Sequence, residues 1–198
     1  MRLRSQLKSF DRIVWNWRDA AMRPRASNIL SRAKRIIARR TWRHVQSFKG
    51  VFIPLSVQIE TVPVFPHGLD GIFISGDAQI GKDCVIFHQV TIGKNTLPDS
   101  PTFGSPILGD SVYIGAGAKI IGRITIGNNV RIGANAVVTI DVPDNTTVVG
   151  LNEIKPQNRA RDNRFVARGE DGWYAFDSSG KTRLPEVRQE MLDQASRR

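Results

Sequence analysis

Cysteine is almost absent from this chain of 198 residues, and Cys84 is the only one. A single cysteine excludes an internal disulfide and a zinc site built from several cysteines. No uninterrupted run of about 18 apolar residues occurs, so no membrane-spanning helix is expected. The arginine-rich N-terminus also lacks the apolar core of a secretory signal. Together these absences predict a cytoplasmic protein.

Acidic residues are nearly missing from the first fifty positions, which hold fourteen Lys and Arg but only two Asp. The whole chain has 29 Lys and Arg and 18 Asp and Glu, giving a formal net charge of +11. Any attraction to polyanions therefore belongs mainly to the segment 1–50.

The segment 1–50 has two stretches with the apolar spacing of amphipathic helices. The second stretch follows Ser27 and is strongly basic. Either the two helices pack on the rest of the protein with a solvated basic face, or they make peripheral contact with an anionic membrane. Nucleic acid is not expected, because no recognition motif accompanies the charge. The residues that carry the first helix are Leu3, Leu7, Phe10, Val14, Trp17 and Ala21, and the membrane hypothesis uses Trp15, Trp17 and Trp42 as interfacial side chains.

A six-residue period runs through the middle of the chain. From Ile72 onward a small or apolar residue recurs every six positions, with an aliphatic residue two places later and often a glycine after that. Neither an α-helix nor simple alternation keeps that register. The pattern is typical of a hexapeptide-repeat parallel β-helix, whose stacked coils bury a shared interior. We predict a mainly β protein with this β-helix over 51–151, a helical segment over 1–50 and a C-terminal extension over 152–198.

Two breaks in the period mark candidate functional positions. The longer break is a proline-rich loop over 94–106, a kind of segment that often carries function on a rigid scaffold. The shorter break is one extra residue beside His67. Because three hexads form one coil, the hexad of His67 is expected to stack under that of His88, so the two side chains would flank one patch.

Few residues of the repeat could carry chemistry. His67 lies at a break between Pro66 and Gly68, which favours a functional role, whereas for His88 a structural role is favoured over a functional one. No metal is expected, because a zinc site needs about three convergent ligands and the repeat offers two histidines. Cys84 occupies an inward slot and is interpreted as a core residue.

Four stretches of the repeat, 65–68, 90–93, 113–122 and 131–138, carry a family resemblance. Through them residues 53–150 resemble the serine acetyltransferase branch of the left-handed β-helix, hexapeptide-repeat acyltransferases. The resemblance implies a left-handed β-helix and an O-acetyltransferase that uses acetyl-CoA as co-substrate. It also implies a homotrimer or a dimer of trimers, with the active site between neighbouring β-helices.

The resemblance also assigns roles to individual residues. His67 matches the general base, which takes the proton of the acceptor hydroxyl as its oxygen attacks the thioester carbonyl. The other site residues are, by role, the acetyl-CoA contacts Gly93, Lys94, Asn95, Ala116, Arg131 and Ala134, with Arg131 at a CoA phosphate, and the candidate acceptor-site residues His88 and Ser105.

Three departures from the family pattern bear on the acceptor. The family's Asp that orients the catalytic His is Phe52 here, so Glu60, Asp70 or no carboxylate would do so. The charged residues that bind serine are replaced by Pro66 and by Gly104-Ser105. A pocket without those charges should hold a zwitterionic amino acid poorly.

We therefore expect an acetyl-CoA-dependent O-acetyltransferase whose acceptor is a sugar hydroxyl in surface-polysaccharide synthesis, with the segment 1–50 near an anionic membrane. The main alternative is an L-serine O-acetyltransferase of cysteine biosynthesis with a rebuilt pocket. A third hypothesis is a non-catalytic β-helix scaffold that recruits an anionic partner through its basic segment.

Overall fold

The computed structural model describes residues 16, 18, 20–22, 29–157, 162–169 and 171–196. These residues include the helices α1 (Ile29–Lys49) and α2 (Glu186–Ser196). The strands are β1 (Gln58–Ile59), β2 (Phe73–Ile74), β3 (Gln79–Ile80), β4 (Val85–Ile86), β5 (Thr91–Gly93), β6 (Ile107–Leu108), β7 (Tyr113–Ile114), β8 (Lys119–Ile121), β9 (Thr125–Ile126), β10 (Arg131–Ile132), β11 (Val137–Val138), β12 (Thr146–Val149), β13 (Glu153–Pro156), β14 (Phe165–Arg168), β15 (Trp173–Asp177) and β16 (Gly180–Arg183).

The short strands wind into a left-handed parallel β-helix with three flat faces, which confirms the predicted fold. Face 1 is β1-β3-β6-β9, face 2 is β4-β7-β10-β12, and face 3 is β2-β5-β8-β11. Tyr113 pairs with Arg131 and Lys119 with Val137, so one coil takes the eighteen residues that three hexads supply. Strand β13 adds antiparallel to β12 at the end of face 2.

The core is the inside of this three-sided prism. The inward aliphatic residue of each hexad is almost completely buried, as Ile92, Ile114 and Ile132 illustrate. Burying a side chain of this size contributes about 1.5–3 kcal/mol relative to leaving it in water. No coil can bury these side chains alone, so neighbouring coils stabilise one another.

The corners between the faces hold the residues of interest. The histidine corner, between faces 2 and 3, carries one column of side chains: His67, His88, Ala116 and Ala134. The ladder corner, between faces 1 and 2, carries the column Lys82, Asp110, Asn128 and Asp144. The loop corner, between faces 3 and 1, carries the segment 94–106 that joins β5 to β6.

The insertion beside His67 is longer than the sequence predicted. Val64 pairs with Val85, 21 residues along the chain, whereas an uninterrupted coil takes eighteen. Three extra residues are therefore present instead of one. The turn buries Phe65, Leu69 and Ile72 equally. Apolar residues therefore do not show where one hexad ends and the next begins, and the sequence count found one of the three inserted residues.

Helix α1 closes the N-terminal end of the β-helix. Trp42 is buried and its Nε1 donates to the carbonyl oxygen of Ile53 at 3.0 Å, while the Ile53 N–H donates to Gln46 Oε1 at 2.7 Å. Trp42 is therefore a core residue, and the idea that it lies at a membrane interface is wrong. Trp15 and Trp17, with most of the first predicted helix, lie outside the described residues.

Membrane-spanning helices were not expected from the sequence. Within the described ranges, no helix combines the length and the apolar character needed to cross a bilayer.

The C-terminal segment covers face 2. Strands β14, β15 and β16 form an antiparallel sheet, and its Tyr174 and Phe176 pack against Val64 and Val85 of the β-helix in a second apolar cluster. The sequence outside the repeat therefore supplies a cover for one side of the prism.

Candidate active site

Two histidines meet at the histidine corner. His67 lies three residues after Val64, and His88 lies three residues after Val85, the partner of Val64 on the next coil. Their Nδ1 atoms are 2.9 Å apart, and the ring centroids are separated by 4.9 Å at an interplanar angle of 36°. The His67 side chain is exposed and that of His88 is half-buried. The structure thus brings together the two histidines that the hexad count placed on one patch.

Phe87 packs against the ring of His67. The two centroids are 5.1 Å apart and the rings are nearly perpendicular, at 85°. Phe87 is itself held between Tyr113 and Phe165, with centroid distances of 5.2 and 6.1 Å. The His67 ring is therefore fixed by a hydrogen bond at Nδ1 and by an aromatic contact. Sequence reasoning missed Phe87, and its signal was the outward slot just before His88.

The carboxylates considered as partners for His67 lie elsewhere in ion pairs. Asp70 Oδ1 is 3.4 Å from Lys49 Nζ, and Glu60 Oε2 is 3.5 Å from Lys82 Nζ. Phe52, which stands where the family has its orienting Asp, stacks on Phe73 of face 3 instead, with centroids 4.9 Å apart. The group at hydrogen-bond distance from His67 is thus a second imidazole.

Two alanines continue the column of the histidine corner. Ala116 lies three residues after Tyr113 and Ala134 three residues after Arg131, just as His88 lies three residues after Val85. Val85, Tyr113 and Arg131 pair with one another on successive coils of face 2. Ala116 is half-buried and Ala134 is exposed. Their small side chains leave the backbone of this corner accessible to a ligand beside the two histidines.

The segment 93–95, which was expected to contact acetyl-CoA, makes its side-chain contacts with neighbouring residues of the loop corner. Lys94 Nζ lies 2.9 Å from Asp77 Oδ2 and 5.4 Å from the centroid of Phe103. Asn95 exchanges both backbone hydrogen bonds with Gly104. Its Nδ2 donates to Ser100 Oγ and Thr102 Oγ1 at 2.8 and 3.0 Å. Asn95 therefore closes the loop, and Gly93 marks the point where the loop leaves β5.

Ser105 and Arg131 lie away from the histidine corner. Ser105 is buried at the loop corner, where its Oγ accepts a 3.0 Å hydrogen bond from Ser75 Oγ. Arg131 lies on face 2 beneath the C-terminal segment. Its Nε donates to Asn163 Oδ1 at 2.5 Å and its Nη2 to the Asp162 carbonyl oxygen at 2.8 Å. The sequence-predicted site residues thus fall in three places, of which only the histidine corner contains a candidate base.

A cavity of about 360 Å³ lies between face 2 and the C-terminal segment. Tyr113, Arg131, Asp162 and Arg164 contribute its polar lining. Arg164 and Arg188 bind the Asp162 carboxylate, each at 2.8 Å. The hydrogen bonds from Arg164 lower the pKa of Asp162 to about 2. The Asp162 carboxylate offsets one of the two positive charges of Arg164 and Arg188 and occupies both guanidinium groups, which makes this cavity a weaker anion site than its arginines alone would suggest.

Cys84 is a core residue, as predicted. It is completely buried, and burial raises the pKa of its thiol to about 12. A thiol that stays protonated cannot act as a nucleophile. Among the residues of the β-helix, His67 is the better candidate for acid–base chemistry.

Comparisons with known proteins agree with this architecture. Residues 105–139 match the family described as bacterial transferase hexapeptide (six repeats). The serine acetyltransferase of Mycobacterium tuberculosis is 38% identical over 120 residues, covering 61% of this chain and 51% of that protein. That of Helicobacter pylori is 39% identical over 114 residues, covering 58% and 65%. The chain therefore spans about half to two thirds of these relatives.

A solved structure gives the same result. Soybean serine acetyltransferase complexed with serine matches with a TM-score of 0.54 and 32% identity, covering 70% of this chain and 53% of that chain. The resemblance to the serine acetyltransferase branch of the hexapeptide acyltransferases is thereby confirmed.

The same comparisons contradict the expected acceptor. The relatives are named serine acetyltransferases, so a sugar hydroxyl in surface-polysaccharide synthesis is wrong. That expectation depended on missing charges at Pro66 and at Gly104-Ser105. Pro66 lies at the histidine corner and 104–105 at the loop corner, with face 3 between them, so whether they share a pocket depends on how copies of the chain assemble and not on the sequence of one chain. Within one chain these positions do not line a common pocket.

Proposed function

We propose that the protein is an O-acetyltransferase that moves the acetyl group of acetyl-CoA to the hydroxyl of L-serine. The observation that carries the proposal is the exposed ring of His67, hydrogen-bonded at Nδ1 on an open corner. Its support is the similarity of the surrounding coils to serine acetyltransferases.

The reaction needs one base and no covalent intermediate on the protein. His67 Nε2 takes the hydroxyl proton while the serine oxygen attacks the thioester carbonyl. Backbone N–H groups hold the negative oxygen of the tetrahedral intermediate. The C–S bond then breaks, and the proton passes from Nε2 to the leaving sulfur. The products are O-acetylserine and CoA.

The acetyl-CoA would lie along the histidine corner. Ala116 and Ala134 leave room there for the pantetheine arm to approach the backbone. Lys94 at the loop corner would contact a CoA phosphate by exchanging its ion pair with Asp77 for that phosphate. Arg131 is not used in this proposal, because Asn163 and Asp162 accept its hydrogen bonds.

The proposed site is formed between copies of the chain. Face 3 separates the histidine corner from the loop corner within one copy. A site that uses both corners is therefore completed by the loop of a neighbour, and a homotrimer of β-helices would provide such a neighbour for each site.

The test is the acceptor-dependent release of CoA thiol from acetyl-CoA. L-serine should drive release, whereas L-alanine, which lacks the hydroxyl, should leave only the background. His67→Asn should lower turnover by about 10²–10⁴-fold, because a positioned base contributes that much. The buried Cys84 will not add to the thiol signal.

Two controls make the result specific. His44→Asn changes an exposed histidine of α1, outside the proposed site, and should leave turnover unchanged. Calorimetry should find that His67→Asn still binds CoA. Full activity in His67→Asn, or equal release with L-serine and L-alanine, would contradict the proposal. A folded protein without turnover would favour the scaffold hypothesis.

A second proposal concerns helix α1 and an anionic membrane surface. Leu30, Ile37 and Phe48 are 65%, 54% and 87% exposed, and their spacing places them in one stripe along the helix. Each cation near an anionic bilayer contributes about 1 kcal/mol of attraction. The exposed cations that flank this stripe are Lys34 and Arg40, whereas Arg32, Arg39 and Arg43 lie on the other side of the helix.

Sedimentation with vesicles tests this membrane contact. Binding should occur with phosphatidylserine-containing vesicles, be weak with phosphatidylcholine alone, and fall in the double variant Lys34→Gln/Arg40→Gln. Lys155→Gln, which removes a cation from β13 at the far end of the β-helix, is the matched control and should bind normally. Equal sedimentation with both vesicle types would exclude the electrostatic contact.

A further inference from the structure

We propose that His88 is a positioning residue for His67, an inference that rests on the proposed acetyl transfer. In this arrangement the Nδ1–H of His67 donates to the Nδ1 of His88. The bond holds His67 in the tautomer whose Nε2 lone pair is free to accept a proton. A neutral imidazole thus takes the place that a carboxylate would fill.

The distance between the two Nδ1 atoms requires one shared proton. At 2.9 Å they are in hydrogen-bond contact, and a neutral imidazole nitrogen is either a donor or an acceptor. Two protonated nitrogens would point N–H at N–H, and two unprotonated ones would oppose their lone pairs. Either His67 or His88 therefore carries the proton between them. Only the first arrangement leaves Nε2 of His67 as a base.

The backbone holds the two rings in register. The N–H of Gln89 donates to the carbonyl oxygen of Asp70 at 3.0 Å, which ties the turn after His88 to the turn after His67. The carbonyl oxygen of His88 accepts the N–H of Gly117 from the following coil, also at 3.0 Å. The backbone around His88 is thus anchored to the coils on both sides, which fixes where the His88 side chain begins relative to His67.

The carboxylates near this corner do not compete for the same role. Asp70 contacts Lys49, and Glu60 contacts Lys82. The aromatic pair of Phe52 with Phe73 offers no acceptor. Among the described side chains at this corner, His88 is the acceptor within hydrogen-bond distance of Nδ1.

The pair acts during one proton transfer. When Nε2 of His67 takes the proton from the serine hydroxyl, its ring becomes an imidazolium and Nδ1 keeps its own proton. The hydrogen bond to His88 then has a charged donor and becomes stronger. When the C–S bond breaks, the Nε2 proton goes to the sulfur, and the pair returns to its starting state with no net change at His88.

Two variants of His88 separate positioning from packing. His88→Leu removes the acceptor and should lower kcat by about 10- to 100-fold, part of what a general base contributes, with KM values changed less than about threefold. His88→Asn keeps an acceptor oxygen near the Nδ1 position and should retain kcat within about fivefold of wild type. Equal losses in both variants, or no loss in His88→Leu, would overturn the proposal.

The tautomer itself is measured by nitrogen-15 NMR of the imidazole rings at mildly alkaline pH. The chain has three histidines, and His44→Asn and His67→Asn assign their signals. Wild-type His67 should be protonated at Nδ1 and unprotonated at Nε2, and in His88→Leu the proton should move to Nε2. A wild-type His67 protonated at Nε2 would overturn the inference. This readout needs no turnover, so a failure of the serine assay would be distinguishable from a failure of the His88 proposal.

Discussion

The ladder corner and the histidine corner are built from the same hexads, yet only one of them is closed by its own side chains. At the ladder corner, Asp110, Asn128 and Asp144 each accept the backbone N–H of the column residue one coil earlier. The distances are 2.7, 2.9 and 2.7 Å. Side chains thus cap the backbone along the whole column.

At the histidine corner the corresponding positions are His88, Ala116 and Ala134. The alanine side chain has no hydrogen-bond acceptor, so it cannot cap the backbone N–H of the column residue one coil earlier. The backbone itself is alike at the two corners, since Asn129 and Asn135 follow the column residue with φ of 54° and 56°. The side chain in one slot per coil therefore decides whether a corner is a closed structural edge or an accessible site.

The C-terminal segment strengthens this contrast. Asn163 Nδ2 donates to the carbonyl oxygen of Ser111 at 2.8 Å, and Gln157 Nε2 donates to that of Asn129 at 3.3 Å. Both acceptors belong to the ladder corner. The segment thus satisfies the backbone of a corner that is already capped, while its contact with the site is the packing of Phe165 on Phe87.

Among the tests of this contrast between corners, the largest expected effect comes from adding a ladder side chain to the histidine corner. Ala116→Asn places an acceptor where Asn128 stands in the ladder, so the new side chain should cap the N–H of His88 and fill the groove. We expect KM for acetyl-CoA to rise about tenfold, which corresponds to about 1.4 kcal/mol. The melting temperature should stay the same or rise. Steady-state kinetics and thermal unfolding measure the two effects.

The matched control removes a rung from the ladder. Asn128→Ala uncaps the N–H of Asp110, and we expect a loss of about 1 kcal/mol in the free energy of unfolding. KM for acetyl-CoA should not change, because the ladder corner is outside the proposed site. The contrast between the corners would be wrong if Asn128→Ala raised KM as much as Ala116→Asn did.

The proximity of the two histidines was predictable because the repeat transmits register along the chain. Any residue three places after Val64 stacks on the residue three places after Val85, whatever its chemistry. The length of the insertion was not predictable, because the turn buries Leu69 as well and so hides where the hexad resumes. The six-residue pattern of buried side chains predicts the position of a residue within a regular coil. It does not predict positions in a turn that buries additional side chains.

The partners of individual side chains were beyond the sequence for a different reason. Arg131 was assigned to a CoA phosphate, but its acceptors come from residues 162 and 163, which lie after the repeat ends. Ser105 accepts a hydrogen bond from Ser75, which lies on the preceding coil. Such contacts depend on how the C-terminal segment and the loop pack in three dimensions, and no period in the sequence encodes them.

The smallest expected effect is a pH-dependent change in the free energy of unfolding, caused by Asp162 in the C-terminal segment that covers face 2. The hydrogen bonds from Arg164 lower the pKa of Asp162 to about 2, against about 3.9 for an ordinary Asp. A carboxyl group whose pKa is lowered by folding stabilises the folded state when the pH is above its ordinary, unfolded-state pKa. That contribution is lost as the pH falls toward the pKa of the folded state. Asp162 is partly exposed, so we expect Asp162→Asn to cost less than about 1 kcal/mol at neutral pH.

Urea unfolding at neutral pH and near pH 2 checks this prediction of the Asp162 effect. The difference between wild type and Asp162→Asn should be present at neutral pH and shrink in acid, while Asp99→Asn, an exposed carboxylate of the loop, should resemble wild type at both. Acetyl-CoA turnover at neutral pH should be unchanged in Asp162→Asn, because Asp162 anchors the cover and not the histidine corner. A loss of turnover would mean that the cover supports the site through Phe165 and Phe87, and that the two corners are less independent than their hydrogen bonds indicate.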